Sequence, residues 1–395
     1  MKQLYATRTN TVHRSFIREI LKVTENSRVI SFAGGLPNAA LFPAKEIAQA
    51  CVKVLNDDNT ALQYSTTEGY LPLRQYIAQR YFKKYGLRIS PDTITITNGS
   101  QQGLDLIGKI FIEKNDKVII ERPGYLGAIQ AFSVYEPEFI PISLQDDGID
   151  TSELATSLKK AKIKLFHMVA NFQNPSGITY SKEKRLAIAE IFSSHNGILI
   201  EDDPYGDLRF EGESLPSIRH QLRDNIILLG TFSKIVAPGL RLGWVCASPE
   251  ITDKIVVMKQ ASDLHSNYIA QRILYQYLVD NDVDEHISKI TKVYGKQRSC
   301  MISAMGKYFP SEVKFTRPEG GMFLWLTLPN DLSSIKLFEA AIQEHLAFVP
   351  GRPFYVDGGG NNTCRLNFSN SDENKIEEGI KRLASIIKRL LITKP

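Results

Sequence analysis

Apolar and polar positions along the chain fall into two regimes. From about residue 93 to 230, short apolar runs alternate with stretches of helical periodicity. Thr93-Ile-Thr-Ile-Thr97, Lys117-Val-Ile-Ile-Glu121, Leu165-Phe-His-Met-Val169, Gly197-Ile-Leu-Ile-Glu201 and Ile226-Ile-Leu-Leu229 read as strands. Helices are predicted over 44–56, where Ile47, Ala50, Cys51 and Val54 share a face, from Ser100 through Phe111, and from Lys182 to Ser193. This alternation predicts a mostly parallel α/β sheet covered by helices. Ligands of such sheets sit beyond the C-terminal ends of the strands. After about residue 285 the pattern changes. A long helix is predicted from Val283 to Tyr308, strands at 320–328 and 363–368, and an amphipathic helix from Glu373 to Leu391. That predicts a smaller α/β domain over 286–395, a large domain over 44–285, and an N-terminal segment, 1–43, that joins the small domain.

Composition changes this picture little. At 395 residues the chain can bury a sizeable core, and 43% hydrophobic with 23% charged residues is ordinary for a globular protein. The net charge of +5 reflects 48 basic against 43 acidic residues without like-charge runs, so neither nucleic acid nor a membrane is an expected partner. Cys51, Cys246, Cys300 and Cys364 form no Cys-x-x-Cys pair. They suit a reducing, cytoplasmic setting. No apolar stretch reaches membrane-spanning length, and no signal-peptide h-region stands at the N-terminus. The seven histidines make no metal signature.

The chemistry concentrates at strand exits. Gly230-Thr-Phe-Ser-Lys-Ile-Val-Ala-Pro-Gly-Leu-Arg-Leu-Gly-Trp244 places Lys234 after a buried strand, where desolvation lowers an ammonium pKa. A neutral amine forms Schiff bases, and Thr231, Ser233 and Arg241 are suited to hold a phosphate beside it. Together they read as a lysine that binds pyridoxal 5'-phosphate. Asn98-Gly-Ser-Gln-Gln-Gly103 turns a strand into a helix, and that helix start, with Ser100 and Gln101, suits a phosphate as well as it suits a simple serine cap. In Glu201-Asp-Asp-Pro-Tyr205, an aspartate can hold a protonated pyridine nitrogen, or both acids can serve the turn; spacing does not choose between Asp202 and Asp203. Tyr205 and Asn174, the latter in Asn171-Phe-Gln-Asn-Pro-Ser-Gly177, can reach a phenolic oxygen, and Tyr125 can stack on a flat ring. Arg365 offers a fork for a carboxylate, or a plain ion pair. Gly103-Leu-Asp-Leu-Ile-Gly-Lys109 has P-loop spacing, but Ile110 replaces the required hydroxyl and the run lies inside a helix.

These motifs, with Phe16-Ile-Arg-Glu-Ile-Leu21, Ser31-Phe-Ala-Gly-Gly-Leu-Pro37, Leu62-Gln-Tyr-Ser65, Thr67-Glu-Gly-Tyr70, Arg317-Pro-Glu-Gly-Gly-Met322 and Phe348-Val-Pro-Gly351, resemble the fold-type I pyridoxal-phosphate aminotransferases of class I/II. The nearest resemblance is to the 2-aminoadipate/kynurenine branch. The resemblance implies a seven-stranded, mostly parallel sheet sandwiched by helices. It implies that Lys234 carries the cofactor, Asp202 meets the pyridine nitrogen, Asn174 and Tyr205 meet the phenolic oxygen, and Tyr125 stacks on the ring. Ser100, Gln101, Thr231, Ser233 and Arg241 would hold the phosphate, joined by Tyr64 from a second subunit of a homodimer with shared active sites. Arg365 would bind the substrate α-carboxylate, helped by Asn174 and the backbone at Gly35. Arg18, on an N-terminal segment that covers substrate, would meet an acidic substrate side chain or stand as a helix-surface charge. Ser176 stands where many members of that family have Thr, and Gly124 where they often carry Ser or Thr.

The expected activity is ping-pong transamination between an L-amino acid (2-aminoadipate, aromatic or branched-chain) and a 2-oxo acid, with 2-oxoglutarate as the expected acceptor. Two other readings compete. One is a cofactor-binding effector domain of a transcription regulator, disfavoured because the motifs already begin at residues 18–31. The other is a lyase or decarboxylase on the same fold.

Overall fold

The computed structural model describes residues 4–10, 28–222 and 224–392. Its strands, in chain order, are β1 (Ile30–Ser31), β2 (Ile94–Thr97), β3 (Lys117–Arg122), β4 (Glu138–Gln145), β5 (Gly148–Ile149), β6 (Ile163–Met168), β7 (Ile198–Asp202), β8 (Ile226–Thr231), β9 (Gly243–Cys246), β10 (Lys314–Phe315), β11 (Phe323–Thr327), β12 (Leu346–Ala347), β13 (Val349–Pro350) and β14 (Thr363–Asn367). The central sheet runs β2-β9-β8-β7-β6-β3-β4-β5. It has eight strands where seven were expected. The Asp146-Asp147 turn folds β5 back on β4 as a two-residue antiparallel edge too short to leave an apolar signature. Pairs β4/β3, β3/β6, β6/β7 and β7/β8 are parallel. β9 runs against both β8 and β2.

Every residue of β2, β8 and β9 is buried, as helix-covered faces require. One apolar cluster, with Leu104, Ile107, Val118, Leu165, Ile227 and Val245, fills one face, and a larger cluster continues from the other into the C-terminal part of the chain. There a second sheet, β10-β11-β14-β13, is antiparallel throughout. The mutually packed helices Val283–Tyr308 and Glu373–Ile392 accompany it. The N-terminal chain is stitched to this unit: β1 pairs with β12, and the Asn367 N–H donates to the Phe32 carbonyl at 2.8 Å.

Topology decides where the chemistry meets. β3, β6, β7 and β8 all end on one rim of the large sheet, as does β2, which lies antiparallel to β9. β9 starts on that rim, so Arg241, two residues before it, arrives there too.

Candidate active site

Lys234 follows the end of β8. Its Nζ donates to the Gly35 carbonyl at 3.0 Å. Burial, reinforced by the Arg365 and Arg241 guanidiniums, lowers the ammonium to about 8. Just before it, the Thr231 hydroxyl donates to Ser233 Oγ at 2.9 Å and accepts the Ser233 N–H at 3.1 Å. Arg241 has φ +54°, and its Nη2 donates to the Asn98 carbonyl at 3.3 Å. That approach needs Gly99: a Cβ there would stand 2.6 Å from Arg241 Nη2, and its φ is +72°. The helix Ser100–Phe111 begins at Gly99 without any side-chain cap, which leaves its first N–H groups facing the guanidinium region. The Gln101 side chain is turned away to the Gly127 carbonyl, 2.8 Å, and ties this turn to the Tyr125 loop.

Asp202 ends β7 and is 1% exposed. Its Oδ2 lies 3.4 Å from His167 Nε2, while Oδ1 has no partner. A buried carboxylate oxygen left without a donor costs free energy and calls for one. Asp203, the other acid left open by spacing, is fully engaged: it accepts from the Gly206 N–H, Asn171 Nδ2 and the Tyr85 hydroxyl. The Tyr125 ring is stacked against His167, 6.1 Å between centroids at 24°.

Arg365 sits in β14 between Trp325 of β11 and Val349 of β13. Although 1% exposed, it meets no acid among the described residues. Its Nη1 donates to Asn174 Oδ1 at 2.8 Å and Nη2 to the Ala33 carbonyl at 2.7 Å, while Nε is unpartnered. The guanidinium stands 4.3 Å from the Phe323 ring centroid. Burial pulls its pKa down to about 10. Asn174 Nδ2 reaches the Tyr205 hydroxyl at 3.5 Å, and burial raises that phenol, with Tyr125, Arg365 and Asp202 also in electrostatic reach. A cation this buried without a carboxylate suits an anionic ligand.

Comparison with known proteins bears on this arrangement. Residues 28–383 match the family described as aminotransferase class I and II. The chain is 43% identical over 381 residues to aromatic-amino-acid aminotransferase 1 of Thermococcus litoralis, covering 95% of this chain and 91% of that one. It is 39% identical to the 2-aminoadipate transaminase of Thermus thermophilus, covering 96% and 95%. The crystal structure of Pyrococcus horikoshii kynurenine aminotransferase, in complex with PMP, superposes with a TM-score of 0.95 at 42% identity, covering 99% and 98%. The chain belongs to the class I and II aminotransferases. It is a pyridoxal-phosphate-dependent transaminase of fold type I.

The aminotransferase's own residues fit that cofactor. An unpartnered buried carboxylate oxygen suits a ring N–H. An uncapped helix start beside Arg241 and two hydroxyls suits a phosphate, and an amine of lowered pKa suits an aldehyde. Most of the expected side chains thus converge on one rim. Tyr64 does not: it is 78% exposed and stands edge-on to His265. Arg18 lies outside the described residues. Sequence reasoning missed His167 and Glu121. Their only signal was a polar residue inside, or at the end of, an otherwise apolar strand. Among the described residues no group of side chains could hold a metal, and no helix is long and apolar enough to cross a membrane.

Proposed function

We propose that this aminotransferase moves the amino group of an L-amino acid to a 2-oxo acid in two alternating half-reactions at one site, a ping-pong scheme. The proposed donors are 2-aminoadipate, aromatic and branched-chain amino acids, and the proposed acceptor is 2-oxoglutarate. Relatives named for aromatic amino acids, 2-aminoadipate and kynurenine support the aromatic and 2-aminoadipate donors. The observation that carries the reading is that the Lys234 amine and the carboxylate-free Arg365 guanidinium close on one short segment, at the Gly35 and Ala33 carbonyls.

When bound, pyridoxal 5'-phosphate supplies a reactive carbonyl and an electron-withdrawing ring. Lys234 is the residue that binds it. The same amine takes the α-proton of the amino acid as a base and returns it as an acid. Asp202, whose buried Oδ1 has no partner, would hold the ring N–H and keep that proton in place. Thr231, Ser233, Arg241 and the helix start at Ser100 and Gln101 bind the phosphate, and Tyr64 reaches across to the phosphate of a second copy. Asn174 and Tyr205 would hold the phenolic edge, and Tyr125 would cover a ring face. Arg365 takes the substrate α-carboxylate, aided by Asn174 and the Gly35 backbone, and Arg18 meets an acidic side chain. The working unit is a cytoplasmic homodimer whose chains divide at residues 1–43, 44–285 and 286–395.

The test is the visible spectrum of the purified holoenzyme during titration with 2-aminoadipate, glutamate, kynurenine, leucine and phenylalanine. Bleaching of the yellow band by a donor, its return with 2-oxoglutarate and release of a 2-oxo acid support the reading. A protein that binds the cofactor but is bleached by no amino acid is a sensor or a different catalyst.

A further inference from the structure

Glu121 ends the inner part of β3 at 1% exposure and enters none of the steps above. Its two carboxyl oxygens collect three donors, all from one loop. Oε1 accepts the Val169 N–H at 3.0 Å and the Tyr180 hydroxyl at 2.7 Å, and Oε2 accepts Gln173 Nε2 at 2.9 Å. Val169 opens that loop, Tyr180 closes it, and Gln173 directly precedes Asn174. Gln173 is itself fully committed. Its Nε2 also reaches the Pro123 carbonyl at 2.9 Å, and its Oε1 accepts the Ser176 N–H at 2.8 Å and hydroxyl at 2.6 Å. One carboxylate therefore holds the loop at its start, middle and end, and joins it to the strand that leads into Tyr125.

We propose that Glu121 is a positioning residue: its ionised carboxylate, through Gln173, sets the pose of Asn174 between Arg365 and Tyr205. The inference rests on the roles proposed above for Asn174 and Arg365. All three contacts donate to Glu121, two of them to Oε1 and only that of Gln173 to Oε2, so a carboxyl that takes its proton on Oε2 loses one donor and keeps the other two. Gln173 is the arm that yields, because its amide retains the Pro123 carbonyl. Burial pushes the Glu121 carboxyl up to about 7, against the pull of His167 and the three donors. His167 on β6 and Tyr180 at the end of the loop are the titratable groups that bear on it from packed elements, while neighbouring Arg122 turns to Asp357 at 2.6 Å. Above pH 7 the clamp is ionised and complete, and below it the clamp opens.

The experiment compares holoenzyme carrying Glu121→Gln or Gln173→Met with wild type, using a donor amino acid between pH 5.5 and 9. In Glu121→Gln an amide N–H₂ faces one of the three donors. At pH 8, KM for the donor is expected to rise about tenfold or more, as a misplaced binding group requires. The acid limb of kcat/KM near pH 7 is expected in wild type and absent from Glu121→Gln. A readout without the cofactor accompanies it. A carboxyl raised in the folded chain from 4.5 to about 7 contributes stability that is full below about 4.5 and is lost as pH rises to 7. The apo-protein Tm of Glu121→Gln should lack that decline. Asn174→Ala and Arg365→Lys serve as controls. If they leave KM unchanged, the proposed roles of those residues fail. If they raise it while Glu121→Gln keeps the wild-type KM and acid limb, the positioning role of Glu121 is overturned. Should Glu121→Gln not fold, Gln173→Met decides through its pH profile, since it cuts the Glu121 arm together with the contacts to Pro123 and Ser176: a raised KM with the acid limb near pH 7 lost supports the clamp, and a wild-type KM or an unchanged acid limb overturns it.

Discussion

Lys234 holds its proton weakly for two reasons that act together. Its stem leaves water at the end of β8, and two guanidiniums, Arg365 and Arg241, bear on it without a carboxylate to offset them. The amine's affinity for an aldehyde should follow its titration. Capture of pyridoxal 5'-phosphate by the apo-protein, read as growth of the visible band, should rise about tenfold per pH unit below 8 and level above it. Lys234→Arg should give no band at any pH. Folding stability obeys the opposite proton count. The folded chain binds fewer protons than the unfolded one between about 8 and 10.5, so this residue adds stability as pH rises through that window. Lys234→Met should flatten that slope in apo-protein Tm measured against pH. A slope unchanged by the substitution would mean that the amine is not depressed.

At the scale of elements, the rim of the large sheet is a matter of backbone as much as of side chains. Gly99 occupies a positive-φ position and leaves room for Arg241 against the start of the helix Ser100–Phe111. Gly99→Ala should strain the turn by about 1–3 kcal/mol, because φ +72° with ψ 166° is open essentially to glycine alone, and push the guanidinium off the helix start. The expected result is a Kd for pyridoxal 5'-phosphate raised about tenfold, with donor preference unchanged, measured by equilibrium binding. The strands leading to Lys234 and Asp202 were legible in the sequence because interior strands covered by helices are continuous apolar runs, and the turn at Gly99 because a glycine follows the Ile-Thr alternation of β2. The helices Ser100–Phe111, Lys182–Ser193 and Val283–Tyr308 were legible for their periodicity and polar starts. The helices Leu71–Tyr85 and Tyr268–Asp280 were not. The first buries Arg74 and the second Gln271 on their inner faces, which blurs the stripe that periodicity relies on. β9 is four residues long and begins inside the Arg241 motif. The Glu121 clamp was illegible for a different reason: its donors are three residues of one loop, Val169, Gln173 and Tyr180, brought to it only by the register of β3 on β6.

The whole molecule leaves apolar side chains uncovered on one group of packed elements. Val52 and Leu55 on the helix Ala44–Asp57, Leu62 and Tyr64 in the turn after it, and Val279 on the helix Tyr268–Asp280 are all exposed, and the two helices pack on each other. A second copy seated there would cover this surface and bring Tyr64 to a site it does not reach within its own chain. Sharing of this kind can be measured by mixing two defective chains. Lys234→Ala should be inactive alone, and Tyr64→Ala should bind the cofactor poorly. A mixed dimer places the intact Tyr64 of the first chain against the intact Lys234 of the second and rebuilds one site of two. With random pairing half of the dimers are mixed, so the equimolar mixture should regain about a quarter of wild-type activity after unfolding and refolding together. Sites built within single chains would instead give only the average of the two parents. A gain over that average, dependent on subunit exchange, is therefore the signature of a site made by two copies.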